Sequence, residues 1–188
     1  MKSDTYHHGN LKNELIEKGL EYIDRYGVES LSMRKLADSV GVSSAAPYAH
    51  FKNKEAFLDS VQNYVTDKFY VALKDAVDNC NDKIKVILEL GIRYVKFFYE
   101  NPLYYHFLFT RKNIKLNEYQ PFVFFESIVT DVMNNHVGKN LDKETLRLKT
   151  IALWAQVHGL AQLISIEGVV DTDNLEKEIE KILISTVA

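Results

Sequence analysis

Residues 33–51 read MRKLADSVGVSSAAPYAHF, and the punctuation of this stretch decides the fold. Ser32 stands just before it, a residue type that caps helix N-termini, and Leu36 and Val40 fall four apart on one helical face. Gly41 ends that helix and can take a left-handed turn at little steric cost. Ser43 or Ser44 then caps a second short helix, expected to end near His50 and Phe51. Two short helices joined by a tight turn make a helix-turn-helix. Ala37 is small where the helices must approach, and Leu36, Val42 and Phe51 are placed to pack on a preceding helix through Ile16 and Leu20.

Working outward, Leu11, Leu15, Ile16, Leu20 and Ile23 form one stripe of that preceding helix, opened by Asn10 and stopped by Gly27. On the other side Lys54-Glu55 opens a long helix carrying Phe57, Leu58, Val61, Tyr64, Val65 and Phe69. A fifth helix is predicted from about Lys83 to Tyr99, and Asn101-Pro102 starts a short sixth. Residues 111–120 read as a polar loop, and a seventh helix follows Pro121 to about His136. Gly138-Lys139-Asn140 breaks it. Asp142 caps a long eighth helix reaching about Glu167, Gly168 ends that, and a last helix carries Leu175, Ile179, Ile182 and Leu183. The expectation is an all-α protein of about nine helices, with a helix-turn-helix head over residues 1–55 and a helical body over 56–188.

The chain has 188 residues and a formal charge of −3, so it is not one of the basic proteins that coat nucleic acid indiscriminately. A specific reader remains open, because a phosphate footprint can be local. Residues 1–55 carry eight Lys/Arg and eight Asp/Glu, so arrangement must supply any positive face. Cys80 is the only cysteine, which excludes an internal disulfide or a thiolate metal cluster within one chain. It reads as a small, semi-buried residue. The N-terminus has no apolar leader segment and no stretch is long and apolar enough to span a membrane, so a cytoplasmic protein is expected.

The second helix of the pair is built from Ser43, Ser44, Ala45, Ala46, Pro47, Tyr48, Ala49 and His50. Small residues let a helix end approach a DNA backbone, where main-chain N–H groups bind phosphate. The Pro47 ring and the Ala45 and Ala46 methyls are candidates to touch thymine methyls. Tyr48, His50, Lys52 and Lys54 are spaced to donate to phosphates, and Arg34 can do so from the preceding helix or reach a base edge. A helical corner in some other all-α protein would read much the same up to this point.

Residues 6–58, YHHGNLKNELIEKGLEYIDRYGVESLSMRKLADSVGVSSAAPYAHFKNKEAFL, resemble the N-terminal domain of the tetracycline-repressor (TetR) family. The resemblance covers the Tyr6–Leu11 arm, the Gly27 stop, Ser32 with Leu36-Ala37, Gly41-Val42-Ser43, and the run Tyr48 to Glu55. It implies an all-α homodimer that binds a palindromic operator, usually as a repressor relieved by a small molecule. It also implies that Ser43, Ala46, Pro47, Tyr48, His50 and Lys54 fall where relatives touch DNA. Ser44 stands where Lys or His is frequent in the family, and Ala49 where Arg is frequent. Fewer long donors imply weaker backbone contacts and less direct base readout. His7-His8 on the arm are too few to hold a metal ion without other ligands, and no cofactor is expected.

In the body, twelve of the chain's 22 aromatics lie between Tyr94 and Phe125. Sites between helices are typically apolar and aromatic, so part of this cluster is expected to line a cavity for a small apolar or aromatic ligand. The candidates are Phe98, Tyr104, Tyr105, Phe109 and Phe125, with Trp154 and His158, which share a face of the eighth helix. The alternative is that these rings fill the core or a dimer seam. The string Trp154-Ala155-Gln156-Val157-His158-Gly159 resembles a TetR subgroup with a tryptophan followed by His-Gly. Dimerisation is expected through the last two helices. Ala155, Gly159 and Leu163 supply a small-residue face, and Leu175, Ile179, Ile182 and Leu183 an apolar stripe.

Two other classes compete. An enzyme needs a nucleophile or an acid–base pair in a cleft, and the sequence has no Gly-rich phosphate loop, metal-ligand cluster or serine elbow, so none is expected. A helical protein-interaction module without DNA binding is the second, separable by a salt-dependent, sequence-selective DNA shift.

Overall fold

The computed structural model describes residues 11–110, 115–136, 141–166, 168–171 and 173–185. The arm with His7 and His8, the predicted break at 138–140, and Glu167 lie outside the described residues. The elements in chain order are α1 (Leu11–Tyr26), α2 (Met33–Val40), a 3-10 turn at Ala46–Ala49, α3 (Lys54–Asp78), α4 (Val86–Glu100), α5 (Pro102–Thr110), α6 (Gln120–Asp131), α7 (Lys143–Leu163) and α8 (Leu175–Ser185). Short 3-10 turns occupy Val28–Ser30 and Leu116–Glu118, and a π turn at Val132–His136 extends α6. Among the described residues there is no strand, and no helix is long and apolar enough to cross a membrane. The eight α-helices correspond to the expected nine less one, because the segment at Ala46–Ala49 is a 3-10 turn.

The chain divides into two compact units. One gathers the residues up to Val65 with Leu103–Arg111, and the other holds Thr66–Pro102 and Lys112 onward. In the first unit, Ser32 caps α2 by accepting the Lys35 N–H at 3.2 Å, and Gly41 closes the helix at φ 75°. A Cβ at Gly41 would meet nothing within 4 Å, so only the left-handed backbone opposes a side chain there. Gly41→Ala is therefore expected to cost about 1–2 kcal/mol in urea unfolding, and no loss would remove the left-handed requirement.

Leu15, Ile16, Leu20, Leu36, Ala37, Phe51, Phe57 and Leu58 form the head core, each almost fully buried. Phe51 and Phe57 meet edge to face, with ring centroids 5.1 Å apart. Gly19 is the close approach the sequence did not flag. A Cβ there would run into the Phe57 ring and lie 3.2 Å from Leu36 Cδ1. The absence of a side chain at Gly19 lets α1 lie against both helices that carry the turn.

The second unit is held by aromatic packing. The Phe69 ring lies 4.9 Å from Tyr94, 5.1 Å from Phe97 and 4.6 Å from Phe98. Trp154 receives the edges of Tyr94 at 4.9 Å, Phe122 at 5.1 Å and Phe125 at 5.4 Å. Asp142 caps α7 through the Thr145 N–H at 2.9 Å, as its position predicts.

Candidate nucleic-acid interface and ligand site

Between Gly41 and Lys54 the main chain turns through i→i+3 bonds: Ala46 N–H to the Ser43 carbonyl, Tyr48 N–H to Ala45, and His50 N–H to Pro47. Pro47 has no N–H to donate and adds no main-chain bond of its own to this turn. The serine side chains make no cap bond here, contrary to expectation. A four-residue turn also lacks the length for the helix-end field assumed from the sequence.

Ser43, Ser44, Ala45, Tyr48, His50 and Lys52 are exposed, as is Arg34 on α2. Tyr48 shows 58% of its surface, unusual for a large aromatic. Ala46 and Lys54 are half-buried. Pro47 is the correction in this group: its ring is buried, so it packs the turn onto the head and does not reach for thymine methyls. Lys35, exposed on α2, is engaged within the head. Its ammonium donates to the Ser30 carbonyl at 2.8 Å and sits 5.7 Å from the Tyr22 ring centroid. That ammonium also holds the Tyr22 phenol below its ordinary pKa.

The expected ligand residues are divided between the two units. Tyr104, Tyr105 and Phe109 belong to the first unit, and Phe98, Phe125, Trp154 and His158 to the second. The Tyr104 hydroxyl donates to Glu17 Oε1 at 2.7 Å, and the Tyr64 hydroxyl donates to the same oxygen at 2.6 Å. Burial first, then the Glu17 carboxylate, pushes the Tyr104 pKa far up. Tyr104 therefore serves as a tie between α5 and α1, and its phenol is already engaged. Phe98 and Trp154 are packed into the aromatic core described above.

His158 stands with its Nδ1 3.0 Å from the Tyr94 hydroxyl, and burial lowers its pKa below the ordinary 6.5. The unfolded chain takes up that proton near 6.5 while the folded chain resists it. The stability this residue contributes is complete above 6.5 and is lost as pH falls from there through the lowered folded value. Unfolding free energy is expected to fall as pH drops below about 6.5, and His158→Gln to flatten part of that fall. An unchanged slope in the variant would count against the assignment.

Tyr119 is buried with no hydrogen-bond partner for its hydroxyl. Burial drives its pKa up, and the Thr66 hydroxyl opposes this from outside hydrogen-bonding geometry.

The second unit holds a cavity of about 370 Å³ between α4, α6, α7 and α8, open to solvent where Ile84 and Ile184 are exposed at its edge. Leu88 and Gly91 of α4, Phe125 of α6, Met133 of the π turn and Val157 of α7 are among its walls. Phe125 alone among the expected ligand residues lines it. Leu88, Met133 and Val157 were missed because an apolar residue facing a cavity has the same helical spacing as one facing a neighbour.

The expected dimer residues divide as well. Ala155 and Leu163 are exposed, and Gly159, Leu175 and Ile182 are half-buried. Ile179 and Leu183 are buried within the protomer, which corrects their assignment to an interface between copies. The reason is α4: a Cβ at Gly91 would lie 3.0 Å from Leu183 Cδ1, so α8 already spends its stripe on its own chain. Leu148, Ile151, Leu163 and Ile166 are exposed, and the first three lie with Ala152 and Ala155 along one face of α7.

Comparison with known proteins agrees with this geometry. Residues 15–61 match the family model described as bacterial regulatory proteins, tetR family. The chain is similar to the tetracycline repressor protein class A from transposon 1721 of Escherichia coli, 43% identical over 49 residues. That match covers 26% of this chain and 23% of the relative, so it concerns the head alone. Over nearly the whole chain the fold is similar to a structure of a protein with unknown function from Rhodococcus sp. RHA1. The TM-score is 0.76 at 24% identity, covering 97% of this chain and 96% of that one. It is also similar to the TetR family transcriptional regulator PfmR from Thermus thermophilus, with a TM-score of 0.70 at 16% identity, covering 91% and 97%. The head is thus a helix-turn-helix domain of the tetR family. The chain as a whole has the all-helical fold seen in solved TetR-family regulators.

Proposed function

We propose that this protein is a cytoplasmic transcriptional regulator that binds a palindromic operator as a homodimer and releases it when a small molecule enters the body. Residues 1–55 would read the DNA, and residues 56–188 would sense the ligand and dimerise. The reading rests above all on one observation: the turn after Gly41 presents Tyr48, His50 and Lys52 outward, with Arg34 exposed on α2, from a head of tetR-family type. The repressor role follows the tetracycline repressors that the head resembles. Assignment to a subgroup with tryptophan followed by His-Gly rests on Trp154, His158 and Gly159 alone.

Dimerisation is assigned to the exposed face of α7, including Leu148, Ile151, Ala155 and Leu163, with the half-buried Gly159, Leu175 and Ile182 beside it. Two heads related by a two-fold axis must meet successive major grooves about 34 Å apart. A ligand that binds the non-operator state better shifts the balance, and a coupling of about 1–3 kcal/mol gives a partial release. The α3 helix contributes residues to both compact units, so a tilt of its later turns would reach its first.

Selection of bound DNA from a random pool tests the reading. The expected result is an inverted repeat with half-sites about one helical turn apart, and binding that falls steeply with salt. A pool with no enriched sequence, and no shift at low salt, would favour a helical protein-interaction module instead.

A further inference from the structure

We infer that the cavity between α4, α6, α7 and α8 is the ligand seat, and that it selects an uncharged apolar molecule over a carboxylate of equal length. This rests on the sensing role proposed above for the body. At the packing density of a protein interior, about 370 Å³ admits roughly fifteen non-hydrogen atoms.

The cavity does not come from loose packing of the helices that bound it. At Gly91 they are already at contact distance: an added Cβ would lie 3.0 Å from Leu183 Cδ1 and 3.3 Å from Val157 Cγ1. The space opens beside that tight crossing, where the end of α6 widens into the π turn at Val132–His136. Val132 and Met133 of that turn both line the cavity. Wide turns of this kind recur at functional sites, and a methionine wall adapts to the shape of its occupant.

Among the described residues, none that lines the cavity carries a charge. Gln156 is the one polar side chain among those lining it, and its amide donates to the Leu183 carbonyl at 3.3 Å. An ionised carboxylate entering here would lose water and meet no cation, which is strongly unfavourable. A neutral alcohol, ketone or ester of medium chain length loses only a weakly hydrated group and gains the apolar walls.

The full-length protein is titrated with the neutral fluorophore N-phenyl-1-naphthylamine at about pH 8, and 1-decanol and decanoate then compete for it. Decanol is expected to displace the probe, and decanoate to need at least about thirtyfold more. Met133→Lys, which sets an ammonium in the wall, should close or reverse that gap. Leu153→Trp, which fills the space, should abolish probe binding while the circular-dichroism melt stays cooperative, and Met133→Phe serves the same end if Leu153→Trp does not fold. Equal displacement by decanol and decanoate overturns the inference. So does probe binding that survives filling of the cavity, or its absence from the wild-type protein. Probe binding seen only in dissociated monomers also overturns it, since a second copy would then cover the mouth. A shift of the selected DNA without ligand reports the regulator reading separately. An intact shift with no probe binding sinks the seat alone, and a lost shift sinks the function.

Discussion

Tyr48→Ala is expected to weaken binding to the selected DNA by roughly ten- to a hundredfold while the melting temperature hardly moves. The side chain stands 58% exposed on a turn whose packing is carried by Pro47 beneath it and Phe51 after it. Removing the ring therefore creates no cavity and leaves no buried group unpaired. What it removes, on the proposed function, is a phosphate-facing hydroxyl and an aromatic surface at the groove, in both copies of a dimer. Two such contacts, one per copy at roughly 0.7–1.4 kcal/mol each, set the range. A gel-shift series at fixed salt reads the effect. Unchanged affinity with unchanged stability would place the DNA surface elsewhere on the head.

Trp154→Ala is expected to be the most destabilising single change, at about 3–5 kcal/mol in urea unfolding. The indole is 6% exposed and takes ring edges from Tyr94, Phe122 and Phe125, with Tyr119 6.4 Å away. Each edge-to-face pair adds to the burial of the indole itself. The size of the loss separates two roles for the same residue. A ring lining an open ligand cavity leaves little new void when truncated, whereas a ring gripped on three sides leaves all of it. A loss below about 1.5 kcal/mol would return Trp154 to the ligand site where the sequence placed it.

Local chemistry made much of this protein legible before any coordinates. Apolar spacing marked the helices, because one face of a helix must be covered whatever covers it. Ser32, Gly41 and Asp142 marked ends, because a cap bond joins residues only a few positions apart. Residues 6–58 taken together were specific enough to show the family resemblance of the head. Pro47 was expected in the first turn of a short helix with its ring toward DNA; it lies in a 3-10 turn with its ring buried, since the ring satisfies its φ constraint in either orientation.

The tertiary structure decided what each covered face meets. Ile179 and Leu183 form a stripe that a second copy or α4 could cover equally well by periodicity, and only the close approach permitted at Gly91 assigns it to α4. Tyr104 reaches Glu17 across 87 residues, a bond with no local signature at either end. The aromatic run was legible as apolar mass, but whether rings pack or leave a void depends on helix crossing and on the π turn after Asp131. Sequence spacing records which side of a helix avoids water. The partner on that side is selected by contacts between distant segments, whose geometry no single segment encodes.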